Sequence, residues 1–132
     1  MQEKQELNED QKKVAGLIML SMRTKYNNDK LKIKSKEMIL KITDRGYKIG
    51  DAELRKIIGF IRRNDMCSPG FILADNAGYW YSEETEDLKR VWESEYGRAL
   101  AILKNFSPLR RRFKHLISEE QGTIFNAIEN SN

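Results

Sequence analysis

Residues 51–64 read DAELRKIIGFIRRN and show a regular helical pattern. Large apolar side chains recur in it at the i, i+3, i+4 and i+7 spacing of one face of an α-helix. These side chains are Leu54, Ile57, Ile58 and Ile61. The spacing predicts a helix over residues 51–64 that is buried on one side and exposed on the other.

Two more helices and a short strand are predicted on the N-terminal side of this helix. The first helix covers residues 9–26, where apolar residues recur every three or four positions. Residues 30–34 alternate between polar and apolar side chains, which predicts a short strand with one buried face. The second helix has Ser35 as its N-cap and stops at Gly46, a residue that readily takes the left-handed conformation. Two short helices joined by the turn at residues 47–50 are typical of a helix-turn-helix.

A hairpin and two further helices are predicted on the C-terminal side. Residues 71–74 and 79–81 are rich in aromatic and aliphatic side chains and enclose the turn at residues 75–78. A long helix follows with Ser82 as its N-cap, and Ser107 followed by proline starts a short fifth helix. The apolar stripe of the long helix consists of Leu88, Val91, Trp92, Tyr96, Ala99, Ile102 and Leu103.

The order of these elements predicts a mainly α architecture with a small β-hairpin. We predict a winged helix-turn-helix domain over residues 9–82, followed by a C-terminal helical extension over residues 83–117 that begins with a long helix. Residues 1–8 are expected to form a flexible N-terminal arm. The tail at residues 118–132 is expected to be either a short amphipathic helix or disordered.

Composition limits the classes of function. The chain has 132 residues and a net charge of +4, and no apolar run reaches the roughly 20 residues that cross a bilayer. Its N-terminus lacks the basic start and apolar stretch of a signal peptide, so we expect a soluble cytoplasmic protein. Cys67 and His115 are the single cysteine and the single histidine, which is too few for a thiol or imidazole metal site. We therefore expect no metal, no cofactor and no catalytic residues.

Basic residues are concentrated in one part of the chain. Residues 30–65 hold eleven Lys or Arg against five acidic residues, whereas residues 66–105 hold four against seven. A local basic surface of this kind is what binding of nucleic acid requires.

The exposed side of the helix over residues 51–64 is the predicted DNA-reading surface. At about 100° per residue this side presents short and basic residues, which suit the DNA major groove. They are Ala52, Lys56, Gly59 and Arg63, flanked by Arg55 and Arg62. Phosphate contacts are expected from Lys34, Ser35, Lys36 and Lys48. The alternative to a DNA-reading surface is that these charges form an ordinary solvated helix face. In addition, the turn at residues 75–78 lacks the Lys or Arg that a wing in the minor groove usually supplies.

The sequence resembles that of small winged helix-turn-helix proteins carried by bacteriophages and integrated elements. The resemblance covers about residues 35–103 and rests on the segments DAELRKII (51–58), IRRND (61–65), FILA (71–74) and GYW (78–80), followed by an acidic helix start. It implies a DNA-binding protein in the cytoplasm of a bacterial host cell, with a role in phage replication or transcription control.

Other uses of these residues stay open. The fold could instead serve as a protein-protein interaction module on a host replication, transcription or defence protein, because fold alone does not determine function. Trp92 and Tyr96 are candidates for a homodimer or partner surface. The aromatic residues of the hairpin either pack in the core or stack on unpaired bases. A secondary basic patch, either a further binding surface or merely solvated, contains Arg110, Arg111, Arg112 and Lys114.

Overall fold

The computed structural model describes residues 6–116 of the chain. In this part the elements are α1 (Glu9–Asn28), α2 (Ser35–Asp44), α3 (Asp51–Arg63), β1 (Phe71–Asp75), β2 (Gly78–Ser82), α4 (Thr85–Asn105) and α5 (Ser107–Phe113), with a final 3-10 turn at Lys114–Leu116. The two strands form one antiparallel hairpin. The predicted class, mainly α with a small β-hairpin, is confirmed. The chain divides into two compact units, residues 1–88 and 89–132.

The core of the first unit lies between α1, α2, α3 and the hairpin. The four apolar side chains of α3 are all buried, as their spacing predicts. Burial of each such side chain contributes about 1.5–3 kcal/mol, so these contacts fix which side of α3 faces outward. The other elements add Val14, Ile18 and Met22 from α1, Met38 and Ile42 from α2, and Ile72 and Tyr81 from the hairpin.

α1 starts at Glu9 as predicted, but two residues before it also take part in the fold. Leu7 is buried in the core, and the Asn8 side chain accepts a hydrogen bond from the backbone N–H of Gln11 at 2.8 Å. The Gln11 side chain in turn accepts from the N–H of Asn8 at 3.0 Å, which completes a capping box. The prediction of a flexible arm over residues 1–8 is therefore wrong for Leu7 and Asn8, and the rest of the arm lies largely outside the described residues.

Three predicted helix starts are shifted. Ser35 is the first residue of α2 rather than its cap, because Lys34 already holds the extended N-cap conformation. Ser82 ends β2, where it pairs with Phe71, and its hydroxyl accepts the N–H of Glu84 at 3.1 Å. Ser107 lies inside α5, which has Phe106 at its N-cap. At α2 and α5 the preceding residue takes the capping position that the side-chain preference assigned to serine, and before α4 the strand extends through Ser82.

The predicted strand at residues 30–34 is reduced to one bridge. Ile33 and Tyr79 exchange two backbone hydrogen bonds of 2.8 Å, and Ile33 is buried as the alternation predicts. Leu31, expected on the same buried face, is 60 % exposed. Its N–H donates to the Asp29 carboxylate at 2.9 Å and Lys30 has a left-handed φ of 57°, so the turn after α1 holds Leu31 away from the sheet.

Two glycines at the boundaries of elements adopt positive φ angles, which other residues rarely take. Gly46 follows α2 with a φ of 94°, which confirms the predicted end of this helix. Gly78 starts β2 with a φ of 135°, and a Cβ atom there would lie 2.6 Å from the carbonyl oxygen of Ile33. The bridge between Ile33 and Tyr79 therefore depends on the absence of a side chain at Gly78.

The described part of the second unit, residues 89–116, consists of most of α4, α5 and the final turn. None of these described residues is fully buried. Trp92 and Tyr96 stack on each other with ring centroids 5.6 Å apart, and they remain 65 % and 51 % exposed. The predicted tail at residues 118–132 lies outside the described residues. No helix within residues 6–116 is both long enough and apolar enough to cross a bilayer.

Candidate nucleic-acid interface

The outward face of α3 is set by its buried face. With Leu54, Ile57, Ile58 and Ile61 inward, about 100° per residue turns Lys56 and Arg63 away from the core. Both side chains belong to exposed residues. Among residues 6–116 neither has a hydrogen-bond or ion-pair partner. The predicted pair of outward cations is therefore present and is not neutralised by the described part of the chain.

One acidic residue within α3 is drawn away from this face. Glu53 accepts a hydrogen bond of 3.0 Å from the side-chain amide of Gln11, a buried residue of α1. Since the Glu53 carboxylate contacts α1, it does not reach across to the outward cations. The contact also ties the start of α3 to the start of α1.

The two small residues of α3 differ from each other. Ala52 is exposed, as predicted, and leaves the first turn of the helix accessible. Gly59 is half-buried because the Arg63 side chain folds back over it: a Cβ atom on Gly59 would lie 3.0 Å from Nη1 of Arg63. Gly59 was expected to allow close approach of DNA, but in this conformation it makes room for Arg63.

Arg62 does not belong to the outward set. Its Nε donates to the backbone carbonyl of Ile72 at 2.9 Å, and its guanidinium lies 5.8 Å from the centre of the Phe71 ring. Arg62 is therefore half-buried against β1, and we correct its expected position on the DNA-facing side. It fastens the end of α3 to the hairpin. By contrast, Arg55 is exposed and has no partner within residues 6–116.

Three of the predicted phosphate contacts lie at the start of α2 and one lies in the turn between α2 and α3. Lys34 precedes α2, Lys36 lies in its first turn and Lys48 lies in the turn itself; all three are exposed and unpaired within residues 6–116. Ser35 is half-buried. No side chain caps the N-terminus of α2. The structure thus leaves three of these four residues accessible to an anion.

An internal ion pair that was not predicted from the sequence lies at the tip of the hairpin. Lys32 Nζ lies 2.6 Å from the Asp75 carboxylate and 4.2 Å from the centre of the Trp80 ring. This hydrogen bond is the main reason why the pKa of Asp75 is below its usual value. The turn at residues 75–78 therefore receives a cation from the segment before α2. The sequence signal for this contact was that Lys32 is a polar residue next to the buried Ile33 in an alternating segment.

The aromatic residues of the hairpin are engaged inside the first unit. Tyr81 is buried; its hydroxyl donates to Glu83 at 2.8 Å and accepts from the Gly70 N–H at 3.2 Å. The Tyr26 ring meets Tyr81 edge to face at 5.4 Å. Trp80 Nε1 donates to Asp87 at 3.0 Å. These contacts favour the packing interpretation over stacking on unpaired bases.

Two tyrosines have raised pKa values as a result of these contacts. Burial, followed by the hydrogen bond to Glu83, raises the pKa of Tyr81. A short hydrogen bond to the Glu84 carboxylate raises the pKa of Tyr26. In both cases the neutral phenol is the favoured form, which suits a structural role.

The remaining predicted candidates lie elsewhere. In the second unit, Arg111, Arg112 and Lys114 are exposed while Arg110 is half-buried. Cys67 is completely buried in the first unit. Within residues 6–116 no group of three or more His, Cys, Asp or Glu side chains is placed to hold a metal ion.

A groove of about 530 Å³ lies between α1 and α2. Leu17, Ile18, Met38 and Ile42 contribute apolar surface to it. Charged side chains also line it, namely those of Lys25, Asp29, Lys41, Asp44 and Arg45. No local sequence pattern predicts this groove, because it forms between two helices that are separated in the sequence.

Comparison of the chain with protein-family models, with curated proteins and with solved structures gives no match.

Proposed function

We propose that this protein binds duplex DNA as a winged helix-turn-helix protein, with α3 as the recognition helix in the major groove. The observation that carries the proposal is the pair Lys56 and Arg63, exposed and unpaired within residues 6–116, on the side of α3 opposite four buried side chains. The major groove admits an α-helix, and Lys or Arg there can donate to O6 and N7 of guanine.

The phosphate backbone provides the second part of the proposed interaction. Lys34, Lys36 and Lys48 are exposed around the start of α2 and the turn, and Arg55 is exposed on the flank of α3. Contacts from such residues position a protein on the duplex without reading its sequence. Together with the resemblance to phage proteins, this arrangement supports a role as a phage-type regulator or replication accessory factor.

The proposal is tested by titrating a fluorescent random-sequence duplex with the full chain at several salt concentrations. We expect the affinity to fall steeply with salt, because each phosphate contact contributes about −0.9 to the slope of log K against log salt. The double variant Lys56→Gln with Arg63→Gln should lose at least about tenfold in affinity at low salt.

A matched control removes the same charge elsewhere. Lys13 in α1 and Lys89 in α4 are exposed and unpaired within residues 6–116, so Lys13→Gln with Lys89→Gln should change the affinity much less. If the chain shows no duplex binding at low salt, or if both double variants bind as well as the wild type, α3 is not a recognition helix.

The groove between α1 and α2 favours a second candidate function, docking on a host replication, transcription or defence protein. Leu20 lines this groove and is 63 % exposed, which is a high value for a leucine beside an apolar surface. A partner that binds there should be released by Leu20→Glu, whereas duplex binding should be unaffected. Capture with the wild type and the variant as paired baits separates the two functions.

A further inference from the structure

The second unit exposes apolar side chains that would cost free energy in water. α4 has 21 residues and none is buried. Large side chains that remain about half exposed or more within residues 89–116 are Trp92, Tyr96, Ile102, Phe106, Leu109, Phe113 and Leu116. Where such side chains share one surface, exposed apolar area marks an interaction site.

Within α4 these residues share one side of the helix. At about 100° per residue, Trp92, Tyr96, Ala99, Ile102 and Leu103 fall within one stripe, which we call the α4 stripe. The whole helix is about 31 Å long at about 1.5 Å per residue. The α4 stripe therefore has the form of a helix-packing surface rather than of a scattered set of apolar residues.

The charges along this part of the chain change sign at the middle of α4. Within α4, residues 85–95 carry four carboxylates and two cations, whereas residues 96–105 carry two cations and no carboxylate. An occupant of the α4 stripe that matches this pattern must be basic beside the start of the helix and acidic beside its end. A second copy of the same chain, reversed in direction, has this distribution.

We propose that the α4 stripe binds the α4 stripe of a second copy of this chain in antiparallel orientation, giving a closed homodimer. A parallel pair would place carboxylates beside carboxylates and cations beside cations. The antiparallel pair places the acidic start of each helix beside the basic end of the other, and the two helix dipoles then oppose each other favourably. A two-fold interface of this type uses the same surface on both copies.

The available surface is of the size that a dimer requires. A whole aromatic side chain buries about 150–250 Å², so seven large side chains with about half their surface exposed offer roughly 700 Å² per copy. A stable interface of standard size buries about 800 Å² per partner. Three of these seven side chains lie in the α4 stripe and four lie in residues 106–116, so an interface of standard size must also include residues 106–116 of each copy.

The first test is the mass of the full chain in solution, measured by sedimentation equilibrium over a wide concentration range without DNA. We expect a reversible dimer whose dissociation constant rises with salt, because part of the attraction is between exposed charges. Trp92→Glu with Tyr96→Glu should raise that constant at least about tenfold, since aromatic residues dominate such interfaces.

The controls separate loss of pairing from loss of folding. Trp92 and Tyr96 are exposed, so the double variant should keep the circular dichroism spectrum and the unfolding midpoint of a dilute wild-type sample. Leu40 of α2 is 61 % exposed, and Leu40→Glu should leave the dimer unchanged. A chain that is monomeric at every concentration overturns the proposal, as does a dimer that persists in the Trp92 and Tyr96 variant.

The second test determines the direction of pairing. Lys89 and Lys104 are exposed residues of the two halves of α4, and each is replaced by cysteine in a separate variant. In an antiparallel pair that crosses near the middle of α4, residue 89 of one copy lies near residue 104 of the other. The two copies of residue 89 are then roughly 20 Å apart along the axis.

We therefore expect a short bismaleimide to give covalent dimers in an equimolar mixture of Lys89→Cys and Lys104→Cys. It should give no covalent dimers of either variant alone. Cys67 is completely buried, and the unmodified chain provides the control for its reaction. Linking within each single variant would show parallel pairing and overturn the proposal. A dimer whose mixture does not link would also overturn antiparallel pairing. Neither test uses DNA, so its result is independent of the proposed function.

Discussion

α3 and α4 have similar sequence patterns but different surroundings. Each carries apolar residues at helical spacing, yet α3 has four buried residues whereas α4 has none. The first is covered by α1, α2 and the hairpin, which lie in the same unit. Periodicity therefore indicates that a helix has an apolar side, but it does not tell what covers that side.

The largest expected effect contrasts one isoleucine from each helix. Ile57 in α3 is completely buried and Ile102 in α4 is 52 % exposed. Ile57→Ala should lower the free energy of unfolding by about 2–5 kcal/mol, because it removes buried methyl groups and leaves a cavity. Ile102→Ala should lower it by less than about 1 kcal/mol in a dilute sample. Urea unfolding of both variants measures the difference, and equal losses would contradict the contrast in burial.

Removing a polar contact that holds the hairpin to its surroundings should lower the free energy of unfolding by a smaller amount. Tyr81→Phe keeps the ring but removes the hydroxyl that accepts from the buried Gly70 N–H. We expect the free energy of unfolding to fall by about 1–3 kcal/mol, because the buried Gly70 N–H is left without an acceptor. Tyr79→Phe is the control, because the Tyr79 hydroxyl has no hydrogen-bond partner within residues 6–116. If both variants unfold at the same urea concentration, the Tyr81 hydroxyl does not stabilise the fold.

Two arginines on the same flank of α3 are expected to separate stability from binding. Arg62→Gln should cost about 1 kcal/mol of stability, since Arg62 donates to the Ile72 carbonyl. Arg55→Gln should leave stability within about 0.5 kcal/mol, because Arg55 is exposed and unpaired within residues 6–116. In duplex titrations, Arg55→Gln should reduce affinity severalfold when both proteins are fully folded. An opposite ranking would mean that Arg62 leaves the hairpin to reach DNA.

The smallest effect is a dependence of stability on alkaline pH. The pKa of Tyr81 is raised above its ordinary value of 10.0, so the folded chain holds the phenol proton more tightly than the unfolded chain. This contribution is complete below pH 10.0 and is lost as the pH rises through the raised pKa. The stability advantage of the wild type over Tyr81→Phe should therefore shrink from pH 9 to pH 11. Urea unfolding of both proteins at both pH values measures this difference in stability. A difference that stays constant would contradict the raised pKa of Tyr81.

Features that depend on local periodicity were predictable from the sequence. The buried face of α3, the hairpin strands and the end of α2 at Gly46 all follow from residues close together in the chain. The outward position of Lys56 and Arg63 follows from the same reasoning, because on a helix the inward residues determine the outward ones.

Features that depend on a distant partner were not predictable. Arg62 differs from Arg55 because of a backbone carbonyl of β1, and no property of the arginine itself reveals that contact. Lys32 contacts Asp75, a residue 43 positions away. Ser82 fails as a helix cap because pairing with Phe71 places it in a strand. Sequence patterns thus identified the basic segment but could not assign each cation to solvent or to an internal contact.

The buried position of Cys67 gives this protein a built-in chemical reporter. It is the only thiol in the chain and is completely shielded in the folded state. A soluble aromatic disulfide can then modify it only when the surrounding structure opens, so the modification rate measures the population of opened molecules. Ligands that bind the closed form reduce the population of opened molecules. A duplex or a second copy that stabilises the first unit would therefore slow the modification of Cys67, and no label has to be attached to the protein beforehand.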